Sequence, residues 1–145
     1  MLTIDASVLV AAAVADEPAH DVARVMLREV GRRGAAVHEP AIAVVEVAAG
    51  IVRRTGDIRL AEDAVRLLVG LPGAEFHELD LPAAVQAAGV AGELRVRAGD
   101  ALYAAVAHAF GCTLVTMDEE LLRRAAPLVD ACTPEAWIAR GGGRA

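Results

Sequence analysis

We expect this chain to fold as a single α/β domain of three layers, with a mainly parallel central sheet flanked by helices. Short apolar stretches alternate along the chain with longer stretches of helical periodicity, which is the pattern of a doubly wound sheet. The length of 145 residues is ordinary for one domain and sufficient to bury a core. A hydrophobic content of 56% with only 3% aromatic residues indicates close packing of small aliphatic side chains. Such a composition argues against a disordered chain.

Prolines and glycines mark the boundaries of the predicted elements. A proline suits the first turn of a helix and a glycine suits its end, and both recur between the periodic stretches. Strands are predicted at residues 2–5, 35–38, 75–79, 113–116 and, as an edge strand, 128–131. Helices are predicted at residues 7–15, from Pro18 to about 30, from Pro40 to 53 or 54, at 58–69, 82–94, 99–110 and 118–126, and in a last turn from Pro134. We assign residues 1–140 to the domain and residues 141–145 to a flexible tail.

The charge of the chain limits its partners. A net charge of −6 argues against a protein that coats nucleic acid through charge alone, because a broad phosphate footprint needs an excess of basic residues. All fourteen basic residues are arginines. Base composition of the gene explains that bias, and a need for bidentate phosphate contacts is the alternative. Any contact with nucleic acid is therefore expected to be local.

The sequence indicates a cytoplasmic protein. Cys112 and Cys132 lie far apart in apolar surroundings, and we expect both to be reduced core residues. No cationic segment precedes the first apolar stretch, which argues against a secretory signal. The longest stretch without charge, residues 101–117, is shorter than the roughly 20 residues of a membrane-spanning helix, so we expect no membrane association.

Four acidic residues stand where strands give way to helices or on helical faces of small side chains. Asp5 and Asp118 each follow an apolar strand, at the sheet edge where open α/β folds bind their ligands. Glu46 and Asp100 have apolar or small neighbours three and four residues away on predicted helices. Carboxylates gathered at 4 Å repel by roughly 4 kcal/mol per pair at an effective dielectric of about 20. Together these acids therefore point to a bound cation.

Each acid alone also has a structural interpretation. Asp5 and Asp118 can cap the helices that follow them, and Asp100 suits the positive end of its helix dipole. Glu46 can extend to solvent. These alternatives stay open for the individual residues.

Oxygen ligands dominate the predicted metal site. Ser7 and Thr116 add hydroxyl groups at the edge that carries Asp5 and Asp118. Hard oxygen ligands favour Mg²⁺ or Mn²⁺ over zinc. The four histidines, at positions 20, 38, 77 and 108, are scattered and lack the spacing of metal ligands, so we expect no metal role for them.

At these residues the chain resembles the PIN-domain family and, within it, the VapC-type toxins of bacterial toxin–antitoxin pairs. The matching pieces are Ile4-Asp5-Ala6-Ser7-Val8-Leu9, the helix from Pro40 to Arg54 with Glu46, the stretch from Arg97 to Ala105 with Asp100, and Leu114-Val115-Thr116-Met117-Asp118. The resemblance covers nearly the whole chain. It implies a metal-dependent endoribonuclease in which the four acids hold one or two Mg²⁺ or Mn²⁺ ions, supported by Ser7 or Thr116. It also implies an RNA substrate, an antitoxin protein partner and a homodimer.

Two arginines are candidates for contact with RNA. Arg53 follows Glu46 by seven residues on the same helical face, about 10 Å along the axis, which suits the next phosphate. Arg97 stands three residues before Asp100. Both also have an ordinary interpretation as solvated surface charges.

Other functional classes remain as alternatives. A phosphatase or receiver-like domain also gathers acids at strand ends, but it needs paired acids early in the chain and a lysine, and this chain has neither. A catalytically silent interaction module on the same fold, or a domain whose acids bind metal for structure alone, would keep the fold without the chemistry.

Overall fold

The computed structural model describes residues 1–141, and its elements follow the predicted order. The strands are β1 (Leu2–Ile4), β2 (Val37–Pro40), β3 (Ala74–His77), β4 (Thr113–Val115) and β5 (Ala131–Cys132). The helices are α1 (Ala6–Ala13), α2 (His20–Arg33), α3 (Ile42–Thr55), α4 (Ile58–Val69), α5 (Leu81–Leu94), α6 (Ala98–Phe110), α7 (Glu119–Ala125) and α8 (Pro134–Ala139).

The five strands form one sheet in the order β3-β2-β1-β4-β5, and every neighbouring pair is parallel. The predicted fold class is therefore confirmed. The chain builds outward from β1 to β3, then returns to the other side of β1 and adds β4 and β5. The order thus reverses between β1 and β4. In open α/β sheets a ligand site lies beyond the carboxyl ends of the strands at such a switch point.

Helices cover both faces of the sheet. Right-handed crossovers place α1–α4 on one face and α5–α7 on the other. In agreement, α1 packs against α2 and α3, whereas α6 packs against β1, β2 and β4. Strand residues that face these layers, among them Ile4, Val37 and Leu114, are fully buried. The core fixes the backbone on which the acidic residues stand.

The ends of two strands differ from the prediction. Pro40 ends β2, pairing with His77, instead of opening α3. The edge strand is Ala131–Cys132, because residues 126–128 form a turn after α7, in which the amides of Leu128 and Val129 donate to the Ala125 carbonyl. The predicted flexible tail, apart from Gly141, lies outside the described residues.

Both cysteines are free and buried, as predicted. Burial raises the pKa of each thiol, which keeps it protonated and unreactive. Of the helices described within residues 1–141, none has the length and apolar character needed to cross a membrane.

Candidate active site

Asp5, Glu46, Asp100 and Asp118 line one cavity of about 360 Å³ at the switch point. The structure therefore brings together four residues that come from two helices, α3 and α6, and from two strand ends. Asp5 follows β1 and Asp118 follows β4, the two central strands whose register pairs Ile4 with Val115. The parallel pairing places both acids at the same edge of the sheet.

Asp5 is held by a hydroxyl network that joins the ends of β1 and β4. Its Oδ2 accepts hydrogen bonds from the hydroxyls of Ser7 and Thr116, the latter at 2.8 Å. The Ser7 hydroxyl also accepts a hydrogen bond from the Met117 amide at 3.2 Å, and the Thr116 hydroxyl accepts one from the Asp118 amide at 3.0 Å. Asp5 occupies the N-cap position of α1 but makes no capping hydrogen bond there. Ser7 and Thr116 therefore hold the Asp5 carboxylate in place, and the capping alternative does not describe this side chain.

Burial leaves the Asp5 carboxylate short of compensating charge. The side chain is only 7% exposed, and this burial raises its pKa, against the lowering effect of the two hydroxyl bonds. The negative charge of Asp100 raises it further. A neighbouring cation would oppose both effects.

Glu46 projects from α3 toward the beginning of α6, where Gly99 leaves space for it. A Cβ atom on Gly99 would lie 2.5 Å from Oε1 of Glu46. Burial raises the pKa of Glu46, and the charges of Asp5 and Asp100 add to that effect. The buried hydroxyl of Tyr103 lies beside this carboxylate, yet among the described residues it forms no hydrogen bond of standard geometry. Glu46 is therefore directed into the cavity and not to open solvent.

Arg97 joins Asp100 to Asp118. Its Nε donates to Oδ2 of Asp100 at 2.9 Å, and its Nη2 donates to Oδ2 of Asp118 at 2.7 Å. Among the described residues, the hydrogen bonds of the Asp100 side chain come from Arg97. Asp118 both caps a helix and pairs with Arg97. Its Oδ1 accepts hydrogen bonds from the amides of Glu120 and Leu121 at the start of α7, while its Oδ2 accepts one from Arg97. Its predicted cap role and its site position are thus compatible.

The donor set fits a hard divalent cation. Arg97 already shows that Asp100 and Asp118 can share one positive group. Within residues 1–141, no three of the four acids bring carboxylate oxygens within 4.8 Å of one another. With Arg97 between Asp100 and Asp118, the carboxylates therefore stand farther apart than the ligands of one metal ion. Exposed ion pairs such as these, with Arg97 at 72% exposure, are worth on the order of 0.2–1 kcal/mol. They are weak enough to be exchanged for a divalent ion.

Arginines line the same cavity and give it local positive charge. Arg53 and Arg54 come from the last turn of α3, and Arg97 precedes α6. Arg54 is paired with Glu17 and also donates to the Gly50 carbonyl. Both predicted RNA-contact residues thus lie at the acidic cavity, although Arg97 is engaged by carboxylates.

Sequence reasoning missed a fifth acid, Glu39. It is fully buried in β2, where Oε1 accepts the Ile4 amide at 2.7 Å and, among the described residues, Oε2 has no partner. Burial raises its pKa well above the usual range, and the charge of Asp5 contributes. The predicted strand ended at His38, so Glu39 fell in a loop, where a glutamate is ordinarily solvated.

Glu39 should make the stability of the fold depend on pH. Because its folded pKa is raised above 4.5, its stabilising contribution is complete below that value and is lost as the pH rises through the folded pKa. Glu39→Gln keeps the acceptor for the Ile4 amide and removes the charge. We expect the difference in free energy of unfolding, Glu39→Gln minus wild type, to be more positive at about pH 8 than at about pH 5. Urea titrations in EDTA at both pH values measure this difference, and parallel pH profiles for the two proteins would contradict it.

The histidines depart from the sequence prediction. The fold places His38 and His77 within 3.1 Å of each other, with Glu75 nearby, although 39 residues separate the two histidines in the chain. The expectation that all four histidines lie apart is therefore wrong for this pair. The group stands on β2 and β3, outside the lining of the acidic cavity.

Solved structures of similar fold include proteins of toxin–antitoxin systems. PAE2754 from Pyrobaculum aerophilum is 23% identical, with a TM-score of 0.68 over 96% of this chain and 94% of that one. VapC20 from Mycobacterium tuberculosis, a sarcin–ricin loop cleaving toxin, is 19% identical, with a TM-score of 0.73 over 90% and 98%. VapBC2 from Rickettsia felis, bound to a DNA fragment from their promoter, is 15% identical, with a TM-score of 0.68 over 91% and 97%. At these identities the likeness shows a shared fold.

Sequence comparison gives the family directly. No curated protein matches the sequence. The PIN domain, in contrast, matches residues 2–127, which include all four acids of the cavity. The chain therefore belongs to the PIN-domain family.

Proposed function

We propose that this protein is a Mg²⁺- or Mn²⁺-dependent endoribonuclease and the toxin of a type II toxin–antitoxin pair. The observation that carries the proposal is the gathering of Asp5, Glu46, Asp100 and Asp118 around one cavity at the switch point of a PIN-domain sheet. Burial and mutual repulsion raise the pKa of Asp5 and Glu46, and a divalent cation would offset that cost. The VapC fold neighbours support the toxin class.

The four carboxylates would hold the metal, and the surrounding residues would fix their positions. A bound divalent ion supplies a water of lowered pKa and stabilises charge on phosphate oxygens during an in-line displacement. Ser7 and Thr116 fix the orientation of the Asp5 carboxylate, since both hydroxyls donate hydrogen bonds to its Oδ2. Capping of α7 by Oδ1 of Asp118 leaves Oδ2 turned to the cavity. Gly99 allows Glu46 to lie against the beginning of α6.

Arginines at the cavity would position the RNA backbone. A net charge of −6 repels RNA, but the arginines make the surface locally positive beside the acids, where the phosphates would bind. Arg53 is exposed, and no carboxylate of residues 1–141 forms a salt bridge with it. Arg97 is held only by exposed ion pairs, so a substrate phosphate can compete for it.

Replacing Arg53 should therefore weaken RNA binding through one phosphate contact. For Arg53→Ala we expect the slope of log affinity against log salt to fall by about 0.7, the value for one contact to a single strand. Metal affinity should be unchanged. Arg28→Ala, an exposed arginine of α2 away from the cavity, is the matched control and should leave the slope as in wild type. Fluorescence anisotropy with single-stranded RNA over a salt series measures both, and an unaltered slope for Arg53→Ala would exclude this role.

The proposed partners are an antitoxin protein and a second copy of the chain, in the cytoplasm. Support comes from the VapBC2 structure, which holds the two components of such a pair. Two apolar side chains one turn apart on α5, Leu81 and Val85, are also exposed. Contiguous exposed apolar surface is typical of protein contacts. A neighbouring gene for a small DNA-binding protein would support the pairing.

The direct test is incubation of the purified protein with total RNA in Mn²⁺ and in EDTA. We expect cleavage in Mn²⁺ that disappears in EDTA and is absent from Asp5→Asn prepared in parallel. A silent interaction module would leave the RNA intact in both conditions. A purely structural metal site would show a metal-dependent rise in melting temperature with no cleavage.

A further inference from the structure

Two histidines and a glutamate share one face of the sheet at its edge. The β2–β3 register pairs His38 with Glu75 and Pro40 with His77. Because side chains alternate along a strand, Glu75 and His77 point to the same face, and His38 lies opposite Glu75 on that face. β3 is the outermost strand on this side, so the group is reached from solvent, with the Glu75 side chain 70% exposed.

The potential ligand atoms already converge. Nδ1 of His38 lies 3.1 Å from Nε2 of His77 and 3.7 Å from Oε2 of Glu75, and one potential ligand atom from each residue lies within 4.8 Å of the other two. Ligands of a tetrahedral zinc ion, with bonds of 2.0–2.1 Å, stand about 3.3 Å apart. The two distances from His38 bracket that separation.

We propose that His38, His77 and Glu75 form a binding site for a divalent transition-metal ion of the zinc type, separate from the acidic cavity. Two imidazoles and one carboxylate are a known zinc ligand set, whereas Mg²⁺ prefers oxygen ligands alone. Three protein ligands leave a fourth position for water.

The surroundings of the two rings suit such a site. Phe110, at the end of α6, stacks on His77 with ring centroids 4.0 Å apart and on His38 at 4.7 Å. This packing fixes the orientation of both imidazoles before any ion arrives. His77 also lines an open cavity of about 400 Å³, which gives an ion a path to the site.

A bound ion would connect β2 and β3 through side chains. It would add to the hydrogen bond and the ring stacking that already join the two histidines beneath the end of α6. We therefore expect Zn²⁺ to raise the melting temperature without being required for RNA cleavage. The expected rise in melting temperature does not depend on the function proposed for the acidic cavity.

The test is titration of the metal-free protein with Co²⁺ and Zn²⁺ in excess Mg²⁺, which competes for oxygen sites and poorly for imidazoles. Wild type should show the visible absorption of Co²⁺ with nitrogen and oxygen ligands, without thiolate charge transfer, and Zn²⁺ should displace it. His77→Phe keeps a ring for stacking on Phe110 and should weaken binding at least about tenfold, since even outer-shell partners are worth that much. Glu75→Gln, an exposed change, provides the same comparison if His77→Phe does not fold.

Two control variants locate the ion. His108→Gln changes an exposed histidine of α6 outside the group, and Asp100→Asn changes the acidic cavity; both should bind Co²⁺ like wild type. Absence of a Co²⁺ spectrum in wild type would overturn the proposal, leaving a plain histidine–histidine hydrogen bond. Loss of binding in Asp100→Asn with retention in His77→Phe or Glu75→Gln would overturn it as well, by placing the ion at the acids.

Discussion

Asp100→Asn should abolish most RNA cleavage while leaving the metal-free fold as stable as wild type, or slightly more stable. The substitution removes a charge that raises the pKa of both Asp5 and Glu46, and this relief stabilises the folded state. It also weakens the exposed ion pair with Arg97, a loss of only about 0.2–1 kcal/mol. The net change in unfolding free energy should stay within about 1 kcal/mol of zero. Cleavage should fall at least about tenfold, because a metal ligand is worth no less than an outer-shell partner.

Thermal melts in EDTA and in Mn²⁺ separate the two effects. Mn²⁺ should raise the melting temperature of wild type more than that of the variant, through its linkage to the folded state. Asp80→Asn is a suitable control, because Asp80 caps α5 through the Ala83 amide and lies outside the acidic cavity. If Asp100→Asn were clearly less stable in EDTA and still cleaved RNA, Asp100 would be a structural residue of α6.

Gly99→Ala should reduce cleavage without destabilising the protein. The new methyl group would lie 2.5 Å from Oε1 of Glu46, and the carboxylate must move because it is the free end of a flexible side chain. The backbone of α6 need not change, and alanine in a helix is favoured over glycine by up to about 1 kcal/mol. Displacement of a reacting group by about 1 Å can cost 10²-fold in rate, so we expect a loss of about tenfold to 100-fold.

Gly89→Ala is the matched control for this substitution. Gly89 lies within α5, and a Cβ atom there would meet nothing within 4 Å. It should gain similar helix stability and keep full cleavage. Comparison of melting temperature and cleavage rate for the three proteins measures the effect. Full activity in Gly99→Ala would mean that the position of the Glu46 carboxylate does not matter.

The fold could be predicted because its sequence signals are local. Helix periodicity and glycine or proline boundaries place α4 at residues 58–69, as found, and the short apolar run before Asp118 is β4. Pro40 was misassigned because proline fits both the first turn of a helix and the end of a strand. Only the pairing with β3 decides between them, and that pairing is a property of the folded sheet.

The candidate site could be predicted in part for the same reason. Asp5 and Asp118 follow strands, and parallel strands bring their carboxyl ends together, so their proximity follows from the fold class. Glu39 carries no such signal, since its burial depends on the Ile4 amide, 35 residues away in the chain. The pairing of His38 with His77 depends in the same way on the β2–β3 register. The position of Arg97 between two acids is likewise a tertiary contact. The sequence shows only that Arg97 is close to Asp100, and the contact with Asp118 forms in the folded chain.

The Mn²⁺ dependence of RNA cleavage, measured beside the Mn²⁺ dependence of the melting temperature on the same preparations, tests most directly whether these acids hold the ion that acts on RNA. In wild type we expect both to rise over the same range of Mn²⁺ concentration, because one site would control stability and chemistry. In Asp5→Asn both should shift together to higher Mn²⁺ or vanish. Cleavage that persists in EDTA, or Asp5→Asn that cleaves RNA at the wild-type rate, would contradict a metal-dependent site at Asp5, Glu46, Asp100 and Asp118.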